Sequence, residues 1–488
     1  MRHRQIASLL FSVTMVAAAP AAVASDLAVP AAPRAAYDWG GFYAGVNLGH
    51  GVANDPSVYA IAGPITTFQS ETYKIVPSGI TGGGQAGYNF QTGSWLAGLE
   101  ADFQGAGQSD TACISNCFNN GGIFSGTASQ RLSWFGTVRG RVGVIADRVL
   151  FYLTGGLAYG RVETSATAVD TFLPPGGASS AGVTATKTGS VFGGGIEAAV
   201  GGPWTARIEY LHIDLGSQSL VFPDPVALQT DAASAAIREN VFRAGLNYRL
   251  GTTPERGAPT MAVKAPYATT PVSGWIGWYG GINAGYSVAN DRSTYVVFDP
   301  PPDGLFNAEN YKLAPAGAVG GVQAGYNYRV ADWVAGLETD IQATGQKDTA
   351  CVFGCSTNIF MNGDTGVVQQ KLPWFGTARA RLGIVAGETL FYATGGLAYG
   401  NVQMTVTQDA GLPFAATASV NQTRLGGAVG GGIEAALGRN WTGKLEYLYL
   451  DLGSQSATFF DPPAVRTATV TAAFRDNVVR AGLNYHLP

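Results

Sequence analysis

Charged residues make up only 13% of this 488-residue chain, while glycine reaches 68 and aromatics 11%, a balance unusual for a soluble enzyme. Glycine this abundant points to disorder, collagen or closely packed strands, and the absence of a G-x-y period or a long polar tract leaves strands. The formal charge of −4, with no basic run to track phosphates, argues against nucleic acid as a partner.

Arg2 and Arg4 precede an apolar run from Ile6 to Ala19, and Ala22-Val23-Ala24 supplies small residues before Ser25, the layout of a secretory signal peptide cleaved after Ala24. Residues 25–36 follow as a periplasmic leader. No later stretch reaches the roughly 18 apolar residues of a membrane-spanning helix. An exported chain of this kind can span a membrane only as a closed barrel, because every backbone polar group in lipid must be paired internally.

Eight strands are expected next, at about 40–52, 79–91, 94–108, 129–145, 149–168, 184–200, 204–220 and 237–250, each long enough for a tilted membrane strand of roughly 9–11 residues. Their connections alternate. Thr92-Gly93, Ala146 to Arg148 and Gly201 to Pro203 are tight, whereas 53–78, 109–128, 169–183 and 221–236 are long and rich in Pro, Asn, Ser and Asp, so short turns lie on the periplasmic side and long loops on the other. In the hairpin from Trp134 to Gly160, Val138, Gly140, Val142 and Val144 share one face while Thr137, Arg139, Arg141 and Gly143 share the other. A membrane barrel turns the first face to lipid and the arginines inward.

The whole unit then returns. WFGTVRGRVG at Trp134 recurs as WFGTARARLG at Trp374, and Gln85 to Asn89 recurs at Gln323 to Asn327. Gly193 to Ala199 likewise recurs at Gly430 to Ala436, and Arg243 to Tyr248 at Arg480 to Tyr485. The domains expected are therefore barrel one at 37–250, a linker at 251–273 carrying Pro254, Pro259, Pro266 and Pro271, and barrel two at 274–488. The fold class is all-β, a transmembrane antiparallel β-barrel in two tandem eight-stranded copies, with one sixteen-stranded barrel as the alternative. The long proline-bearing linker favours two, since a tight turn would serve to join neighbouring strands of one large barrel.

Read in order, the motifs WGGFYAGVNLG, GGQAGYN, WLAGLEADFQG, WFGTVRGRVG, LFYLTGGLAYG and VRAGLNY resemble the small outer-membrane β-barrel proteins of the alphaproteobacterial porin-like, outer-membrane immunogenic-protein type, relatives in architecture of the OmpA membrane domain. The resemblance covers nearly all of the mature chain. It implies an eight-stranded barrel per unit in the outer membrane of a Gram-negative bacterium, delivered by the barrel assembly machinery and surrounded by lipid and lipopolysaccharide, with self-association left open. Two departures are the duplication and the ending Leu487-Pro488, where such proteins usually finish on an aromatic residue.

Alternation places Glu100, Asp102, Arg139, Arg141, Glu197, Arg207, Glu209 and Arg243 inside the first barrel, and Glu338, Asp340, Arg379, Arg381, Glu434, Lys444, Glu446 and Arg480 inside the second. Four acids face four bases in each, which reads as a salt-bridged filling, because the interior of an eight-stranded barrel is only just wide enough for side chains. Cys113 with Cys117, and Cys351 with Cys355, are expected to form a disulfide in each copy of one long loop after export. Neither a cofactor nor a metal site is expected. The G-x-G-x-x-G match at Gly82 to Gly87 continues into a strand rather than a helix, and its copy has Val322 in place of the second glycine. His50, His212 and His486 are not repeated between units, and His212 is in phase with Ile208 and Tyr210 on the outer face, so no acid–base set points to an enzyme. Trp39, Phe42, Tyr43, Trp95, Phe151, Tyr152 and Trp204, with Trp275, Trp333 and Trp441, are expected in interfacial girdles. The functional reading is a structural barrel supporting the envelope and displaying loops. The alternatives are a pore for passive transport and a surface ligand-binding protein or adhesin.

Overall fold

The computed structural model describes residues 37–62, 69–115, 124–170, 177–224, 229–251, 275–298, 306–353, 364–410, 415–461 and 466–488. The expected signal peptide, leader and nearly all of the linker, as well as Cys117 and Cys355, lie outside these residues. The first repeat forms β1 (Gly41–Ala53), β2 (Asp55–Ala62), β3 (Gln69–Ile75), β4 (Ser78–Thr92), β5 (Trp95–Ser115), β6 (Phe124–Ala146), β7 (Val149–Asp170), β8 (Gly177–Gly201), β9 (Trp204–Asp224) and β10 (Gln229–Arg249). The second forms β11 (Gly277–Ala289), β12 (Asp291–Phe298), β13 (Phe306–Leu313), β14 (Ala316–Val330), β15 (Trp333–Phe353), β16 (Asp364–Ala386), β17 (Thr389–Ala410), β18 (Ala415–Gly438), β19 (Trp441–Asp461) and β20 (Arg466–His486).

Each repeat closes on itself. β1 pairs antiparallel with β4 on one side and β10 on the other, and β11 does the same with β14 and β20, so there are two separate eight-stranded barrels and not one of sixteen. Closure leaves no edge strand in the bilayer. The six two-residue turns between long strands share one device: Gly93, Asp147, Gly202, Ala331, Gly387 and Arg439, the first residue of each, all have positive φ, which matches the turn to the twist of the strands it joins.

Two expectations need correction. The stretch 53–78, read as a loop, carries the β2–β3 hairpin, and the strands run well past membrane length, β8 reaching 25 residues. The reason is visible along β7. Near the periplasmic end its outward residues include Leu153 and Leu157, each about 70% exposed, while Tyr152 and Thr154 point inward. Beyond Tyr159 the same alternation continues with opposite polarity: Arg161, Glu163, Ser165 and Thr167 face out, and Val162, Ala166 and Ala168 are buried. β17 repeats the switch, with Leu397 outward below and Asn401, Gln403 and Thr405 outward above Val402, Met404 and Val406. The lower part of each barrel exposes apolar groups and is filled with polar ones, as a lipid-facing belt requires; the upper part exposes polar groups around an apolar core, as a surface in water requires.

Candidate functional site

In the first barrel, the eight expected charges lie no more than 5% exposed and converge on one layer. Arg139 is at its centre, pairing with Glu100, with Asp102 at 3.0 Å and with Glu209 at 3.0 Å. Arg207 sets two nitrogens on the Glu100 carboxylate at 2.5 and 3.0 Å, Arg141 reaches Glu197 at 3.0 Å, and Arg243 bridges Asp102 at 2.8 Å and Glu209 at 2.6 Å. The second barrel repeats this around Arg379, which contacts Glu338, Asp340 and Glu446 at 2.7–3.0 Å. There Arg381 reaches Glu434 at 2.8 Å, Lys444 reaches Glu338 at 2.8 Å, and Arg480 bridges Asp340 and Glu446 at 2.7 and 2.6 Å. Burying charges is costly unless each is paired and hydrogen-bonded, and neutral donors add to the layer, although Asp102 Oδ1, Arg207 Nε and Arg243 Nη1 are buried without a hydrogen-bond partner among the described residues. The Tyr43 hydroxyl donates to Glu100 at 2.6 Å, Tyr152 to Glu209 at 2.9 Å and Thr205 to Glu197 at 2.5 Å. Gly87 makes room for the first of these, since a Cβ there would collide with the Tyr43 hydroxyl.

Below the ionic layer lies an aromatic stopper that sequence reasoning placed elsewhere. Trp39 is 1% exposed, packed with Tyr37, Leu96, Leu150 and Tyr152, and held by its backbone N–H donating to the Gln91 side-chain carbonyl at 2.6 Å. Trp275, 3% exposed, sits edge-on to His486 at 5.8 Å between centroids. Trp39, Trp275, Tyr43 and Tyr152 therefore belong to the interior and not to the girdle, because their positions share the inward phase of the charges. Phe42, Trp95, Trp204, Trp333 and Trp441 are exposed on the outer face at the strand ends, where an interfacial girdle belongs. Phe151 is half-buried against the other barrel.

Above it, Asn47, Gln85 and Asn247 form an amide chain, and Asp55, missed in the sequence, accepts the backbone N–H of Arg238 at 2.6 Å where β10 is bulged. Its copy Asp291 accepts the N–H of Arg475 at 2.8 Å. Burial holds both carboxyls well above the usual carboxylate range. A buried acid at a strand break was the only available sequence signal.

The barrels also meet each other. Among the described residues β3 forms a backbone ladder with β2 alone, leaving a seam against β5, and β13 does so with β12 alone, leaving one against β15. Asp110 stitches the base of the first seam by accepting the Val76 N–H at 2.7 Å, and Asp348 does so for Ala314 at 2.7 Å. Each aspartate is also the ion-pair partner of a lysine from the other barrel, Lys312 with Asp110 and Lys74 with Asp348. Lower down, outward-facing Val149, Ile196 and Ala198 are buried because they pack on Ile433 and Ala435. Phe151 lies over Gly443, where a Cβ would come within 3.2 Å of its ring.

Of the remaining candidates, Cys113 and Cys351 sit on β5 and β15 beside an extracellular cleft, and the Gly82 to Gly87 run lies within β4. His212 is half-buried on Phe192 with Nδ1 at 3.1 Å from Asn240, whereas His486 lies inside the second barrel, 3.5 Å from Glu434. These histidines are in different barrels and are not brought together.

The sequence profile of the outer membrane protein beta-barrel domain matches residues 11–249 and again 258–486. The chain belongs to that family. As an outer-membrane β-barrel protein it is 37% identical over 234 residues to the 31 kDa outer-membrane immunogenic protein of Brucella melitensis, covering 47% of this chain and 92% of the relative. It is 29% identical over 216 residues to the 22 kDa outer membrane protein of Rhizobium leguminosarum bv. viciae, covering 44% and 78%. The P. putida toluene transporter TodX aligns over 92% of this chain and 91% of its own at 10% identity, with a TM-score of 0.26, a likeness that carries no argument about transport.

Proposed function

We propose that this outer-membrane protein is a structural, non-catalytic and non-conducting double barrel that strengthens the envelope and carries an extracellular platform for its loops. The observation that carries the reading is the ionic layer across each lumen, closed from below by Trp39 or Trp275. An eight-stranded barrel has little interior beyond its side chains, and charges that neutralise one another present no selective path for an ion. Surface display is supported by the long strands above the lipid-facing belt and by the Brucella relative being named an immunogenic protein. The loops would be pinned by Cys113–Cys117 and Cys351–Cys355 disulfides, and the chain would be exported by its signal peptide and inserted by the barrel assembly machinery. The test is conductance of the full chain in planar bilayers. Only baseline current is expected; stable porin-like steps would replace this reading with passive transport.

One observation favours ligand binding as a second reading. A cleft of about 1160 Å³ opens between the extracellular extensions, lined by Lys74, Asp110, Arg131, Glu163 and Lys312 among small hydroxyl residues. Its mixed charge suits a polar surface ligand. Glycan and matrix-protein binding by intact cells, lost when Arg131 and Glu163 are both replaced by alanine, would decide for it.

A further inference from the structure

A second cleft, of about 870 Å³, lies between the barrels at the level of the lipid-facing belt. Ala206, Ile208 and Ala244 line it from the first barrel, and Leu382, Phe391 and Leu445 from the second. These residues have outward phase, since their strand neighbours Arg207, Glu209 and Arg243, and likewise Arg381, Tyr392 and Glu446, fill the lumens. The cleft is continuous with the apolar contact between the barrels, because Ile208, Phe391 and Leu445 belong to both. A space of this size, within the roughly 300–1,000 Å³ of ordinary ligand sites, is too large to stay empty, and its apolar walls offer water no partners.

We propose that the cleft binds the acyl portion of one phospholipid from the periplasmic leaflet. The direction of entry follows from what closes each end. On the extracellular side the barrels touch: Phe242 packs on Tyr447 with ring centroids 5.3 Å apart, and Val52, Val76, Val288 and Ala314 form a shared cluster above. Beyond, the reciprocal pairs tie Lys74 and Lys312 of the two hairpins to Asp348 on β15 and Asp110 on β5. A lipopolysaccharide chain entering from the outer leaflet would have to part these contacts. On the other side the barrels also meet, with Arg148 beside Gly387 and Val149 clustered with Ala435, but the cleft runs down the flank of that contact: Trp333 adjoins the turn at Ala331-Asp332, and Leu382 and Phe391 flank the turn at Gly387-Glu388, so this end of the cleft lies at the periplasmic rim. Exposed Trp333 supplies the amphipathic ring that interfacial positions favour. The bound lipid completes the apolar interface and holds the two barrels at a fixed separation.

The experiment is native mass spectrometry of the full chain extracted in mild detergent, together with two cleft-filling variants, Ala393→Trp and Ala244→Trp, and a control, Ala101→Trp, on an outward position away from the cleft. Wild type and the control are expected to retain one phospholipid. Each filling variant should lose at least tenfold of the bound fraction, while heat-dependent gel migration reports that the barrels remain folded. Wild type free of lipid, wild type carrying lipopolysaccharide instead, or folded filling variants with undiminished phospholipid would each overturn the assignment. Because the readout is retained lipid and not current, it is independent of whether the lumen conducts.

Discussion

At equivalent register positions the two barrels carry different cations. Arg207, opposite Glu197 in the β8–β9 ladder, places two nitrogens on Glu100, whereas Lys444, opposite Glu434, places one ammonium on both oxygens of Glu338, at 2.8 and 2.9 Å. All the acids stay the same: Glu100, Asp102, Glu197 and Glu209 answer to Glu338, Asp340, Glu434 and Glu446. The apolar extensions have drifted much further. Ala128 pairs with Ala166 in the first barrel and Val368 with Val406 in the second, while Thr164 opposite Gln130 becomes Met404 opposite Gln370. Charge buried in a narrow lumen must be matched by opposite charge, so a cation there is replaced by another cation. Apolar packing answers to total volume and can be redistributed among neighbours.

The sharpest test of this contrast is removal of the central arginines. Arg139→Ala leaves Glu100, Asp102 and Glu209 short of a partner and should cost the first barrel about 3–5 kcal/mol, with Arg379→Ala doing the same to the second. Denaturant unfolding in detergent, followed by heat-dependent migration, measures this, and unchanged midpoints would mean that the layer is not a structural filling. Met404→Ala should cost about 2–5 kcal/mol if the second extension is a packed core. A silent substitution there would show that the larger residues fill no space that matters.

Arg207→Lys imports the second barrel's solution into the first and should cost about 1.5–3 kcal/mol, one charge-assisted hydrogen bond's worth, by the same unfolding measurement. A loss as large as that of Arg139→Ala would show that the two layers are not interchangeable. Smallest is the contact between barrels. Lys74→Ala and Lys312→Ala should each cost about 0.2–1 kcal/mol, and a double-mutant cycle with Asp348→Ala and Asp110→Ala should return a coupling of that size. Zero coupling in both cycles would remove the ion pairs from the account of how the barrels are joined.

Much of this was legible in the chain. The duplicated motifs gave two units, the turn spacing gave eight strands through the membrane in each, and the inward phase of Arg139 and Arg141 relative to Val138 and Val142 followed from alternation, because strand periodicity is a local property of the backbone. The β2–β3 hairpin and the tall extensions were not recognised, since above Tyr159 and Tyr399 the polarity of the alternation reverses and the strand no longer looks like one facing lipid. Trp39 illustrates the other limit: a tryptophan near a strand end suits a girdle or a lumen equally, and only the closed ring of neighbours around it decided for the lumen. Lys74 and Asp110 fall in stretches read as loops, and neither they nor Lys312 and Asp348 stood out, because their partners lie in the other repeat, more than two hundred residues away. The sequence by itself determined the strand phase and therefore which groups share a face. The tertiary structure decided which faces meet, because closure, tilt and the docking of one barrel on the other depend on contacts between residues remote in the chain, about which local periodicity is silent.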